Sequence, residues 1–202
     1  VRAMGREHVL GVLLPCHSVP EDARLGQQVA DSLSIETLTV ELSASFDALM
    51  DVLPKSDHHL APANTKPRLR MTALYYLAQD HNYLVLGSGN KTEIAVGYAT
   101  KYGDAGADLF PLGDLYKTQV WELARALGVP EAVVTRPPTG GLWPGQTDEG
   151  EMGITYAELD RVLMAIESGD VSLVDVDTLD KVQGMVARAA HKRALPPICR
   201  LT

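Results

Sequence analysis

Apolar residues fall in short blocks separated by polar, periodic stretches, and this pattern predicts buried strands alternating with amphipathic helices. Val9-Leu10-Gly11-Val12-Leu13-Leu14 is a nearly continuous apolar run ending at Pro15, as expected of a strand covered on both faces. Ser18-Val19-Pro20-Glu21 has capping-box spacing with a proline in the first turn, and Gly26, Val29, Ala30 and Leu33 then recur at helical intervals. A second strand is predicted over Thr37 to Leu42 and a short helix around Phe46 to Leu53. This βαβα order implies a parallel sheet.

The three prolines, two histidines and sparse apolar residues from Pro54 to Pro67 predict a surface loop. A helix follows with Leu69, Ala73, Tyr76 and Leu77 on one face, then strand-like runs at Tyr83 to Leu86 and Leu109 to Leu112. Val120, Leu123, Ala124 and Leu127 mark an amphipathic helix stopped by Gly128, with Pro130 behind it. Thr135 to Gly153 lacks periodicity, and a loop of that length inside a domain is usually functional or mobile. A second capping box, Thr155 to Glu158, opens a helical C-terminal part in which Val176, Leu179, Val182 and Val186 are in register.

A chain of 202 residues with 46% hydrophobic and 22% charged residues is consistent with one globular domain holding a real core. No run approaches the length of a membrane span and no signal-peptide pattern opens the chain, so no membrane association is expected and a cytoplasmic location is. Cys16 and Cys199 are too few for a disulfide framework or a metal cluster, and two reduced thiols are expected. The net charge of −8 argues against nucleic acid. It also means that any anionic ligand must be held by local cations, for which Lys66/Arg68/Arg70, Lys101 with Lys117, and His191/Lys192/Arg193 are the candidates.

The chemistry concentrates in Gly87-Ser88-Gly89-Asn90-Lys91-Thr92-Glu93, where an apolar run feeds a turn of small residues and then a helix start. Asn90 and Glu93 have the spacing of a capping box, so Glu93 is readable as a helix cap or as a metal ligand. Glu93 and Lys101 lie about two helical turns apart, within reach of one ligand. Asp114 is the expected N-cap of the helix ending at Leu127, which puts Lys117 in the first turn against the macrodipole. A cation placed there makes sense if both converge on one anion. As an exposed cation it would contribute little to folding, so its removal is expected to leave stability nearly unchanged. His17, His58, His59 and His81 show no metal-ligand spacing.

Ser88 to Glu93, Ala99 to Asp108 and Pro144 to Glu149 together resemble the signature runs of the NAD synthetase family, in its ammonia-type synthetase domain. The resemblance extends from about Val9 to Lys192. It implies an α/β fold, a parallel sheet flanked by helices on both faces, of the Rossmann-like adenine nucleotide alpha hydrolase kind, with ligands at the carboxyl ends of the strands. Residues 1–202 would form one such domain. The family's first strand and its Ser-Gly-Gly-x-Asp-Ser phosphate loop have no counterpart in the sequence and would precede residue 1.

The resemblance further implies ATP-dependent amidation of deamido-NAD through an adenylated intermediate, with ammonia as donor and AMP and pyrophosphate as products. In the family the glutamate matching Glu93 binds Mg²⁺, and Ser88, Lys117 and Thr139 match positions that contact ATP, the co-substrate. Arg68, Lys101, Asp108, His191 and Lys192 match contacts to deamido-NAD. Lys117 and Glu93 would carry the catalytic burden by offsetting phosphate charge. Ser88 replaces the usual threonine and keeps its hydroxyl, and Pro67 replaces a small residue before Arg68. Asp148 and Glu149 read as metal- or backbone-organising residues. A homodimer is implied, with deamido-NAD, ATP and ammonia as small-molecule partners. The alternatives are another ATP pyrophosphatase, such as a GMP-synthetase-like amidase, and a non-catalytic nucleotide-binding subunit.

Overall fold

Leu10–Leu13 (β1) and Glu36–Thr39 (β2) pair in parallel, Leu10 facing Glu36 and Leu13 facing Thr39, in a computed structural model that describes residues 1–201. The crossover between them is Pro20–Leu33 (α1), the connection that a parallel pair requires. Proline at the first position suits α1 because its missing N–H would have no intrahelical partner. Ser18 does not cap this helix: Val19 is the N-cap, and the Ser18 hydroxyl instead accepts from the Cys16 N–H and the Arg70 guanidinium.

Ser43–Val52 (α2), Leu60–Ala63 (α3) and Thr65–His81 (α4) follow. The apolar runs expected to form two further strands meet in a single parallel bridge, Leu86 with Leu109, flanked by bonds from the Asp108 N–H to the Val85 carbonyl and from the Gly87 N–H to the Leu109 carbonyl. The parallel arrangement is as expected; among the described residues the extended ladder is not, and β1 is half-buried rather than covered on both faces. Gly87 packs against the Phe110 ring so closely that a Cβ there would fall 2.4 Å from a ring carbon.

Lys91–Val96 (α5), Lys117–Leu127 (α6), Glu131–Val134 (α7), Asp148–Met152 (α8), Tyr156–Ser168 (α9) and Val176–Arg188 (α10) complete the helices. As the sequence predicts, α6 ends at Gly128 in the left-handed conformation and α9 begins with Thr155 accepting from the Glu158 N–H. The main core lies where α5, α6, α9 and α10 meet, around the fully buried Tyr156, Leu159, Val162 and Val182. Each such aliphatic side chain contributes about 1.5–3 kcal/mol by leaving water, and Leu159→Ala would cost about 2–5 kcal/mol. Gly97, at φ 68°, ends α5 against the end of α10, where an added Cβ would come 2.4 Å from that of Ala189. No helix among the described residues is long and apolar enough to cross a membrane.

Candidate functional site

At the start of α5 the capping box is complete. The Asn90 side chain accepts from the Glu93 N–H at 3.0 Å, and Glu93 Oε2 accepts from the Asn90 N–H at 3.2 Å. Glu93 is a cap and more than a cap, because its other oxygen, Oε1, takes the Lys117 ammonium at 2.8 Å and lies 3.3 Å from the Tyr156 hydroxyl. The pair is largely enclosed, at 15% and 16% side-chain exposure for Lys117 and Glu93. The Lys117 ammonium also stands 4.8 Å from the centre of the Tyr156 ring. Lys117 is therefore half of a largely enclosed ion pair, and the expectation of an exposed cation is corrected.

The helix carrying Lys117 starts differently from the expectation. Tyr116, not Asp114, is the N-cap of α6, with its N–H bonded to Gln119. The Asp114 side chain is fully exposed, 3.6 Å from Lys91. The first free N–H groups of α6 go to other helices: that of Lys117 to the Thr92 hydroxyl and that of Thr118 to the Asp160 carboxylate. Sequence reasoning missed Asp160, which nothing local marks, and gave Thr92 no role although it lies within the Ser88 to Glu93 run.

Tyr156 links the pair to the long loop. Its hydroxyl donates to Asp148 Oδ2 at 2.8 Å, and its N–H donates to Glu149 Oε1 at 2.8 Å, so Glu149 organises backbone whereas Asp148 takes a side-chain hydroxyl. Asp148 is 5% exposed, and its Oδ1 has no hydrogen-bond partner. Burial pushes its carboxyl above the ordinary range, with the Tyr156 and Tyr98 hydroxyls and the Lys117 charge pulling the other way. Tyr98 donates to Glu151, which also takes the Gln146 amide, and Gln146 in turn accepts the Leu142 N–H. The 135–153 segment is thus tied down at several points rather than free.

Two clefts flank the Glu93–Lys117 pair. One, of about 520 Å³, is bounded by the end of β1 and by Arg70, Lys117, Arg136 and Thr139. The other, of about 280 Å³, is bounded by Ser88, Glu93, Tyr98, Asp104 and Lys192. Lys117 and Thr139 share the larger cleft, whereas Ser88 lines the smaller one. Asp22 of α1 and Arg136 of the loop form an ion pair at the larger cleft's edge.

Arg68, Lys101 and His191 converge. Arg68 donates to the Lys101 carbonyl at 3.3 Å, and the Lys101 ammonium donates to the His191 carbonyl at 2.7 Å. Lys101 and Lys117 belong to separate clusters. Lys192 turns inward, its ammonium bonded to the Gly97 and Ala99 carbonyls, and burial lowers its proton affinity. Asp108 accepts from the Val85 N–H at 2.8 Å and from the Tyr75 hydroxyl at 3.1 Å, where it braces the Leu86–Leu109 bridge. Tyr75 and Arg68 are seven residues apart, two turns along one face of α4.

A metal ion was expected on Glu93. Among the described residues no three His, Cys, Asp or Glu side chains converge as a metal cage. Magnesium in nucleotide sites takes one or two carboxylates plus phosphate oxygens and water, so one glutamate fits an ion that arrives with a triphosphate.

A family model described as NAD synthase matches residues 1–196. An NH(3)-dependent NAD(+) synthetase of Carboxydothermus hydrogenoformans is 47% identical over 196 residues, which are 95% of this chain and 78% of that protein. Among solved structures, an NMN synthetase from Francisella tularensis superposes with a TM-score of 0.86 at 34% identity, over 95% of this chain and 79% of that one. An NH3-dependent NAD synthetase from Campylobacter jejuni superposes with a TM-score of 0.82 at 25% identity, over 98% and 81% of the two chains.

Proposed function

The chain belongs to the NAD synthase family, and from that premise we propose that the Glu93–Lys117 pair is the centre of an ammonia-dependent synthesis of NAD from deamido-NAD. A carboxylate is a poor acyl donor until its oxygen becomes a good leaving group. The nicotinate oxygen attacks the α-phosphorus of ATP, pyrophosphate leaves, and a mixed anhydride with AMP forms. Ammonia then attacks the carbonyl carbon and expels AMP. The protein's work in such a reaction is positioning and charge neutralisation rather than covalent catalysis.

The observation that supports this reading is the placement of one buried carboxylate–ammonium pair between two clefts of unequal size. ATP occupies the larger cleft, its phosphates met by Lys117 and by the Thr139 hydroxyl. Ser88, which lines the smaller cleft, is the further ATP contact that the family motif implies. Glu93 would hold Mg²⁺, which would supply offsetting charge for the phosphates. Arg68, Lys101, Asp108, His191 and Lys192 form the dinucleotide side, with Arg68, Lys101 and His191 linked in series by hydrogen bonds and Lys192 shaping the smaller cleft. Residues 1–202 belong to one such synthetase domain, whose first strand and phosphate loop would precede residue 1, in a cytoplasmic homodimer.

Product analysis tests the reaction. Incubation with deamido-NAD, ATP, Mg²⁺ and ammonium is expected to give NAD, AMP and pyrophosphate in equal amounts. ADP and orthophosphate as products would refute it. Because one structural neighbour is an NMN synthetase, nicotinate mononucleotide belongs in the same assay, and the dinucleotide is expected to be the better acceptor.

A further inference from the structure

Asp160 sits in the middle of α9 at 1% exposure, and its hydrogen-bond partners are a hydroxyl and a peptide N–H rather than a basic side chain. Taking a carboxylate out of water costs several kcal/mol, and an apolar residue of similar volume is often no less stable there. Its compensation comes from the N-terminus of α6: Oδ2 accepts the Thr118 N–H at 2.8 Å, where the macrodipole favours negative charge. Oδ1 accepts the Thr92 hydroxyl at 2.5 Å, and that hydroxyl oxygen accepts the Lys117 N–H at 3.0 Å.

The node therefore consists of one carboxylate, one hydroxyl and two peptide N–H groups, and it joins three helices. Thr92 is the chain neighbour of Glu93, and Thr118 is the chain neighbour of Lys117. Fixing those two backbones to a single carboxylate fixes the separation of the two side chains that meet at the clefts. Thr92 and Asn90, at 0% and 2% exposure, leave no slack around the node.

We propose that Asp160 and Thr92 are positioning residues that set the geometry of the Glu93–Lys117 pair for MgATP, an inference that rests on the pair being the site of nucleotide chemistry. Neither residue lines either of the two clefts. Both act through the start of α6.

The test compares Thr92→Val, which keeps shape but loses the hydroxyl, with Thr92→Ser, which restores it, and with Asp160→Asn. Val182→Ala serves as the control, since Val182 is fully buried in α10 away from the node. NAD formation is followed with ATP and Mg²⁺ varied, thermal unfolding gives the folded fraction, and MgATP affinity is measured by calorimetry. Thr92→Val and Asp160→Asn are expected to lower kcat per folded molecule by about 10- to 100-fold, the range typical of groups that orient a metal ligand. Their KM for ATP and Mg²⁺ requirement should rise, and MgATP affinity should weaken about tenfold. Thr92→Ser should stay within about threefold of the unchanged protein, and Val182→Ala should lose thermal stability without those kinetic changes.

The proposal is overturned if Thr92→Val keeps wild-type kcat, KM and affinity, or if Val182→Ala loses as much per folded molecule. If the unchanged protein binds MgATP but forms no NAD, the amidation reading fails alone, and the affinities of the Thr92 variants still decide the positioning claim. If it does not bind MgATP, both fail.

Discussion

Replacing Lys117 by Met keeps most of the side-chain stem against the Tyr156 ring and removes the charge, leaving Glu93 without its ammonium partner at 16% exposure. Removing one member of a fully buried ion pair costs about 3–5 kcal/mol, which is an upper bound for this partly enclosed one. Two effects act against that figure. A cation in the first turn of α6 opposes the macrodipole, so its loss returns about 0.3–1 kcal/mol. Glu93 also retains the Asn90 N–H and the nearby Tyr156 hydroxyl. A net loss of about 2–4 kcal/mol is expected, which at about 2–4 °C per kcal/mol for a chain of this size is a fall in Tm of roughly 5–15 °C. Thermal and urea unfolding followed by circular dichroism would measure it. The double variant Glu93→Gln/Lys117→Met removes both charges and should return to within about 1 kcal/mol of the unchanged protein. A loss below about 0.5 kcal/mol for Lys117→Met, the behaviour of an exposed pair, would refute the reasoning, as would a double variant no better than the single one.

Asp148 offers a test by pH. Its folded-state value is raised by burial, so the stabilisation it gives is complete below the unfolded carboxyl's value of about 3.9 and is lost as pH rises through the folded value. Asp148→Asn cannot ionise and should gain stability relative to the unchanged protein as pH is raised from about 4 to 7. A difference constant across that range in urea unfolding would show that Asp148 ionises freely in place. Cys16 is fully buried with its thiol pushed up, chiefly by burial, whereas Cys199 is exposed, so a thiol-specific reagent should titrate one thiol in the native protein and two in denaturant. Gly97→Ala would force a left-handed residue against Ala189 and should destabilise by more than the roughly 1–2 kcal/mol of the backbone term alone, as read by urea unfolding.

What the sequence revealed was local. Asn90 and Glu93 are three residues apart, so their reciprocal caps follow from spacing, and the glycine stop at Gly128 and the Thr155 cap are equally short-range signals. Asp114 misled because aspartate is a strong N-cap residue, yet α6 needs no such cap when Thr92 and Asp160, 25 and 42 residues away from their partners in the chain, fill its free N–H groups. Ser18 misled in the same way, its hydroxyl being taken by Arg70 from 52 residues off. Lys117 is legible as an anion-binding cation but its enclosure is not, because the side chains that surround it lie on α5 and α9. Asp160 was invisible as a site, being one charged residue among several in a helix whose burial only packing reveals. The family motifs group Arg68, Lys101 and His191, which the structure links through two hydrogen bonds, a non-local relation that periodicity does not carry.

The ion pair that stands between the two clefts gives them a common state. Lys117 faces one and Glu93 the other while they hold each other, so a ligand that draws Lys117 towards itself frees Glu93 on the far side. If a ligand in one cleft draws its member of the pair away, the work of opening that contact would be incurred once for both clefts, and thermodynamic linkage would require any resulting coupling, of either sign, to be the same in either order of addition.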